Sequence, residues 1–137
     1  MKKWLLLVCV LLTACDRQSQ GFALPPGDIE AGKAAFVRLQ CNQCHQVDDI
    51  AWAGSGDIRV TLGGERTAIA TYGDLVTSII NPSHRLSRGF DPATVQNDQS
   101  KMRVYNDVMT VQELIDLVTY LQTTYEVWVP DFRQLGP

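Results

Sequence analysis

Several things are scarce in this chain. Its 137 residues include four cysteines, two histidines and three methionines, one of them at position 1. No apolar run approaches the roughly 20 residues that a membrane-spanning helix needs. Positive charge is thin as well: 12 Lys+Arg stand against 15 Asp+Glu, a formal net charge of −3. That balance argues against nucleic acid as a partner, so none is expected. The cysteines are too few, and too unevenly spread, for a disulfide framework.

What is present begins with Lys2 and Lys3, an almost unbroken apolar run from Trp4 to Leu12, and small residues at Thr13 and Ala14. This is the anatomy of a secretory signal over residues 1–14, and it implies an oxidising destination outside the cytoplasm. Leu12-Thr13-Ala14-Cys15 resembles the lipobox of bacterial lipoproteins, which implies cleavage before Cys15 and lipidation of its thiol. Several acyl chains anchor stably where a single one binds marginally. Asp16 resembles the residue that retains such proteins in the inner membrane, so the expected location is the periplasmic side of the cytoplasmic membrane. Loss of residues 1–14 removes two lysines and leaves the chain about five charges negative. That balance favours a redox or other partner with a basic docking surface. Residues 15–27, ending in Leu24-Pro25-Pro26-Gly27, read as a flexible tether. Residues 28–125 read as one domain, and 126–137 as a C-terminal tail.

Within the domain the strong patterns are helical. Asp28 is a good N-cap for a helix over Ile29 to Leu39, which then leads straight into Cys41. Tyr72 to Asn81 reads as a second helix with Leu75, Val76, Ile79 and Ile80 on its buried side, stopped by Pro82. Thr110-Val111-Gln112-Glu113 is a capping box, and Leu114, Leu117, Val118, Leu121 and Tyr125 follow at helical spacing. Ile58 to Leu62 alternates like a short extended piece. Ser83 to Ser100 is a long polar segment, of a length that is usually functional or disordered.

The chemistry concentrates at Cys41-Asn42-Gln43-Cys44-His45. Two cysteines separated by two residues place both sulfurs on one side of a turn. In haem attachment they add across the two vinyl groups, and the following histidine faces the iron. Two rival readings are weaker. A thioredoxin-like dithiol needs a strand before the motif and a parallel sheet around it. Structural zinc needs four ligands, and would have to take both cysteines together with His45 and His84. One covalently bound haem c is therefore the expected cofactor, with Cys41 and Cys44 as thioether positions and His45 as proximal iron ligand.

For the sixth position the sequence downstream offers Met102, Met109 and His84. Met109 directly precedes the Thr110 N-cap, where an apolar residue staples onto the first turn, here Leu114; packing is enough to explain it. Met102 lies at the end of the polar segment between Lys101 and Arg103, where no periodicity calls for an apolar side chain. Met102 is the favoured distal ligand, with Met109 and His84 as alternatives. Trp52 and Trp128 suit ordinary packing or the edge of the site.

Together these features resemble the single-domain class I c-type cytochromes, in the manner of a bacterial monohaem lipoprotein. Gly32 and Phe36 match the positions through which that family's N-terminal helix crosses the C-terminal one, against Leu117 and Tyr120. Leu75 to Ser83 is similar to a helix of respiratory and sulfur-compound-oxidising cytochromes, and Ser100 to Tyr105 resembles the family's axial segment. Two departures stand out: Arg103 occupies the place where proline is common, and no proline lies between His45 and Pro82. Some other carbonyl or a water near Gly54 to Ile58 would then have to accept from the His45 ring. The resemblance implies an all-α cytochrome c fold, three to four helices packed around the haem. It implies a one-electron carrier rather than an enzyme, acting with redox partner proteins at the outer face of the cytoplasmic membrane. The alternatives are the cytochrome subunit of a larger dehydrogenase, such as a sulfur-compound-oxidising complex, and a gas-binding or peroxidase-like haem protein.

Overall fold

The computed structural model describes residues 24–47, 49–66, 71–86 and 91–127. The expected signal, Cys15, most of the tether, and Trp128 with the rest of the tail lie outside the described residues. Three helices carry the fold: α1 (Ile29–Arg38), α2 (Tyr72–Ile80) and α3 (Val111–Thr123). Short strands join in three pairs: β1 (His45–Gln46) with β2 (Val60–Thr61), β3 (Gly64–Arg66) with β6 (Tyr125–Val127), and β4 (Val95–Gln96) with β5 (Gln99–Ser100).

Each helix starts where its sequence says it should. Asp28 accepts the Ala31 N–H at 2.7 Å, with Glu30 in the first turn of α1 and Arg38 in its last, both suited to the helix dipole. The end of α1 differs from expectation. Gln40 takes a left-handed conformation (φ +60°), which breaks the helix and turns the chain into a single 3-10 turn over Cys41–Gln43. Reciprocal capping boxes start α2 at Thr71 with Asp74, and α3 at Thr110 with Glu113. In α2, Leu75 and Ile79 are buried and Val76 is half-buried, but Ile80 is 37% exposed. One residue beyond Ile79 the helix has turned by about 100°, which carries Ile80 off the packed face.

The centre of the fold is the crossing of α1 over α3. A Cβ on Gly32 would come within 2.0 Å of the Asp116 carbonyl oxygen and 2.8 Å of the Tyr120 Cβ, so the two backbones meet with no side chain between them. Phe36 meets Tyr120 edge to face at 6.2 Å. Leu117, Val118 and Leu121 are buried as their spacing predicts, and Ile115 joins them. Asp116 is the one buried charged residue among the described residues; its carboxylate accepts the Asp28 N–H at 2.9 Å and the Gln112 amide at 2.8 Å. A second polar tie lies beside it. Asp49 accepts from the Tyr120 hydroxyl at 2.5 Å and pairs with Lys33 at 2.6 Å, joining both helices to the loop after the CxxCH turn.

The remaining pieces are loops with short pairings. Tyr125, expected to continue the α3 stripe, instead begins β6, which runs parallel to Gly64–Arg66. The described part of the polar stretch before Ser100 holds a 3-10 turn at Pro92–Thr94 and the β4–β5 hairpin. Both residues at its tip, Asn97 and Asp98, have positive φ, as a tight two-residue hairpin turn requires.

Candidate functional site

Between the α1–α3 core and the described loop residues 82–86 and 91–105 the packing is open. Two adjoining cavities of about 330 and 280 Å³ share Cys41, His45, Ser78, Met102 and Tyr105 on their walls. The inner one is lined mainly by core side chains, among them Phe36, Leu39, Leu75, Ile79 and Leu117. The outer one reaches exposed Cys44 and the cations Arg85, Lys101 and Arg103.

The 3-10 turn after Gln40 sets the cysteines apart in environment. Cys41 is buried and Cys44 is exposed, and neither forms a disulfide. Burial pushes the Cys41 thiol up to about 11. His45 follows as the first residue of β1, in register with Val60. Its neighbours are pinned by backbone bonds, Val60 N–H to the Cys44 carbonyl and Leu62 N–H to the Gln46 carbonyl. Burial lowers the His45 pKa, favouring the neutral imidazole that has a lone pair to give; the Val60 backbone acts weakly the other way. Among the described residues no atom stands at hydrogen-bonding geometry to the buried His45 Nδ1. No carbonyl among residues 54–58 accepts from it, and the Ile58 carbonyl instead takes the Trp52 indole N–H at 3.2 Å. Trp52 is further engaged by Arg59, which lies over its ring, and it borders neither cavity.

The three distal candidates are placed differently. Met102 is half-buried and lines both cavities together with His45. Met109 lines only the inner cavity and packs against the core cluster. His84 is exposed, has its ring Nδ1 against the Asn81 carbonyl at 2.8 Å, and borders neither cavity. Among the described residues no three His, Cys, Asp or Glu side chains gather to hold a metal ion directly, so the four zinc donors considered from sequence do not meet. Tyr105 was visible in the sequence only as an aromatic after the methionine. It lines both cavities and has Arg103 stacked on it. Ser78, also on both walls, carried no sequence signal: it reads as one more small polar residue on a helix.

The sequence model of the cytochrome c family matches residues 29–125, and the chain belongs to that family. Comparison with curated proteins and with solved structures returned no match. Its cofactor is accordingly haem c, covalently attached, with Cys41 and Cys44 in the CxxCH position. The residues present fit the group. A predominantly apolar hollow is lined by both thiols, by His45 and by Met102, whose side chain carries a thioether sulfur. Haem supplies a one-electron Fe(II)/Fe(III) couple, and the protein is a haem electron-transfer protein.

Proposed function

We propose that the protein is a monohaem electron carrier in which His45 is the proximal and Met102 the distal iron ligand. A single observation carries this reading: of the three candidates downstream, only Met102 shares both cavities with His45. A histidine–methionine pair raises the potential and leaves no open position for small molecules, which suits electron transfer rather than gas binding or peroxidase chemistry. The chain's own work is then to exclude water with Leu39, Leu75, Ile79 and Leu117, and to hold the two donors at the cavities that both of them line. One edge of the hollow stays near the surface beside Cys44, where a partner redox protein can approach.

The carrier is proposed to work at the outer face of the bacterial cytoplasmic membrane, lipidated at Cys15 and tethered by residues 16–27. The lipobox-like sequence supports this. Among the described residues no helix is long and apolar enough to cross a membrane. Anchoring raises the effective concentration near membrane redox partners without any new contact.

The deciding experiment is spectroscopic. Protein made with haem-maturation machinery should show, when oxidised, the weak far-red charge-transfer band of methionine–iron(III) bonding. Met102→Ala should abolish it and let the reduced protein bind carbon monoxide rapidly, whereas Met109→Ala should keep the band. A band that survives in Met102→Ala overturns the assignment.

A further inference from the structure

We infer that Ser83 and Ser100 are positioning residues that hold the Met102 donor in place through a chain of two side-chain hydrogen bonds. The inference rests on Met102 being the distal ligand. The Ser100 N–H donates to Ser83 Oγ at 3.1 Å, across 17 residues of sequence. The Met102 N–H donates to Ser100 Oγ, also at 3.1 Å. Between them the Lys101 N–H donates to the Thr94 carbonyl at 2.8 Å. Three consecutive amides leading to the sulfur donor are therefore each held, two of them by serine hydroxyls.

The arrangement answers a local need. Arg103 follows the methionine where a proline would fix one backbone dihedral, so nothing covalent stiffens this segment. Both serines are half-buried, where a hydrogen bond competes less with water than it would on an open surface. Ser83 lies just past Pro82 at the end of α2, so the chain refers the position of Met102 back to a helix in the core rather than to the hairpin alone. Ser100 acts twice, as the last residue of β5 and as the acceptor for Met102.

The test uses the haem-loaded protein and three substitutions, Ser100→Ala, Ser83→Ala and Ser100→Thr. Two quantities are read: the far-red methionine–iron(III) band, and the affinity of the ferric protein for added imidazole, which competes with the methionine. Losing one ordinary hydrogen bond from the held donor should let imidazole bind about 3–10-fold more tightly in Ser100→Ala. The band should weaken in parallel. Ser83→Ala should shift both in the same direction by less, and Ser100→Thr, which restores the hydroxyl, should return both to wild type. A merely structural serine would lower the melting temperature and leave imidazole affinity unchanged, and that result overturns the inference, as does failure of threonine to rescue. Should Ser100→Ala not retain haem, the Ser83→Ala measurement decides. Met102→Ala separates the two readings: if it loses the band while both serine variants are normal, only the serine role fails.

Discussion

Where α1 crosses α3, protein packs on protein; across the cleft, residues of 82–86 and 91–110 border a hollow. At the crossing a glycine admits one backbone against the other, and Phe36, Ile115 and Val118 have almost no exposure. On the other side, no described residue from Pro82 to Thr110 is buried, although the segment contains Met102, Tyr105 and Met109. The difference divides the labour of stabilisation. One half of this small domain closes its own core, and the other is left to be completed by a large apolar cofactor. That suits a domain of about 100 residues, which buries only around two-thirds of its unfolded surface.

The comparison can be broken most severely at the cofactor. Replacing both attachment residues, Cys41→Ser with Cys44→Ser, should leave little folded protein, because the open half then has nothing to pack on. Circular dichroism with thermal melting checks this, and a cooperatively folded haem-free variant would falsify the division. A smaller effect is expected at the closed half. Gly32→Ala forces a methyl group toward a backbone oxygen, and should cost about 2–3 kcal/mol by denaturant titration. Gly56→Ala, where an added Cβ meets nothing within 4 Å, should stay within about 0.5 kcal/mol of wild type. A modest effect concerns the tie between α1, α3 and the loop at Asp49. The Lys33 ammonium and then the Tyr120 hydroxyl hold its carboxyl below the usual range. A depressed carboxylate stabilises the fold above its unfolded pKa, and the benefit is lost as pH falls through the folded value. The melting-temperature gap between wild type and Asp49→Asn should therefore be widest near neutrality and close in acid. Its size is modest because the pair is partly exposed. A gap independent of pH would show that the carboxylate charge is irrelevant there.

The closed half was largely legible in the sequence, because its signals are local. A cap at Asp28, a capping box at Thr110 and apolar residues at helical spacing are all written within a few positions of one another. The family's glycine contact was read correctly for Gly32, although its backbone neighbour is Asp116 rather than Leu117. The open half was less legible because its order comes from pairings across long separations. Nothing near His45 announces a parallel partner at Val60, and nothing near Ser83 announces Ser100. The hairpin was written at its tip, in Asn97-Asp98, two residues that tolerate positive φ, yet the surrounding polarity made the segment read as plain loop. Of the site, the CxxCH turn was plain, the expectation for Met102 rested on giving Met109 a packing role, and the cavity itself could not be read from any single residue.

One further consequence concerns how fast an electron can move. The segment around Met102 is moored on both sides to the end of α2: Ser83 holds it from before, and the Asn106 amide donates to the Ile80 carbonyl at 3.1 Å from after. His45, which lines the same cavities, sits in a strand pair. If these two residues are the axial donors, as proposed, their backbone ties would limit how far either could travel when the iron changed its charge. Little nuclear rearrangement then accompanies each transfer, and a site that need not rearrange can exchange electrons rapidly in both directions with only a small driving force.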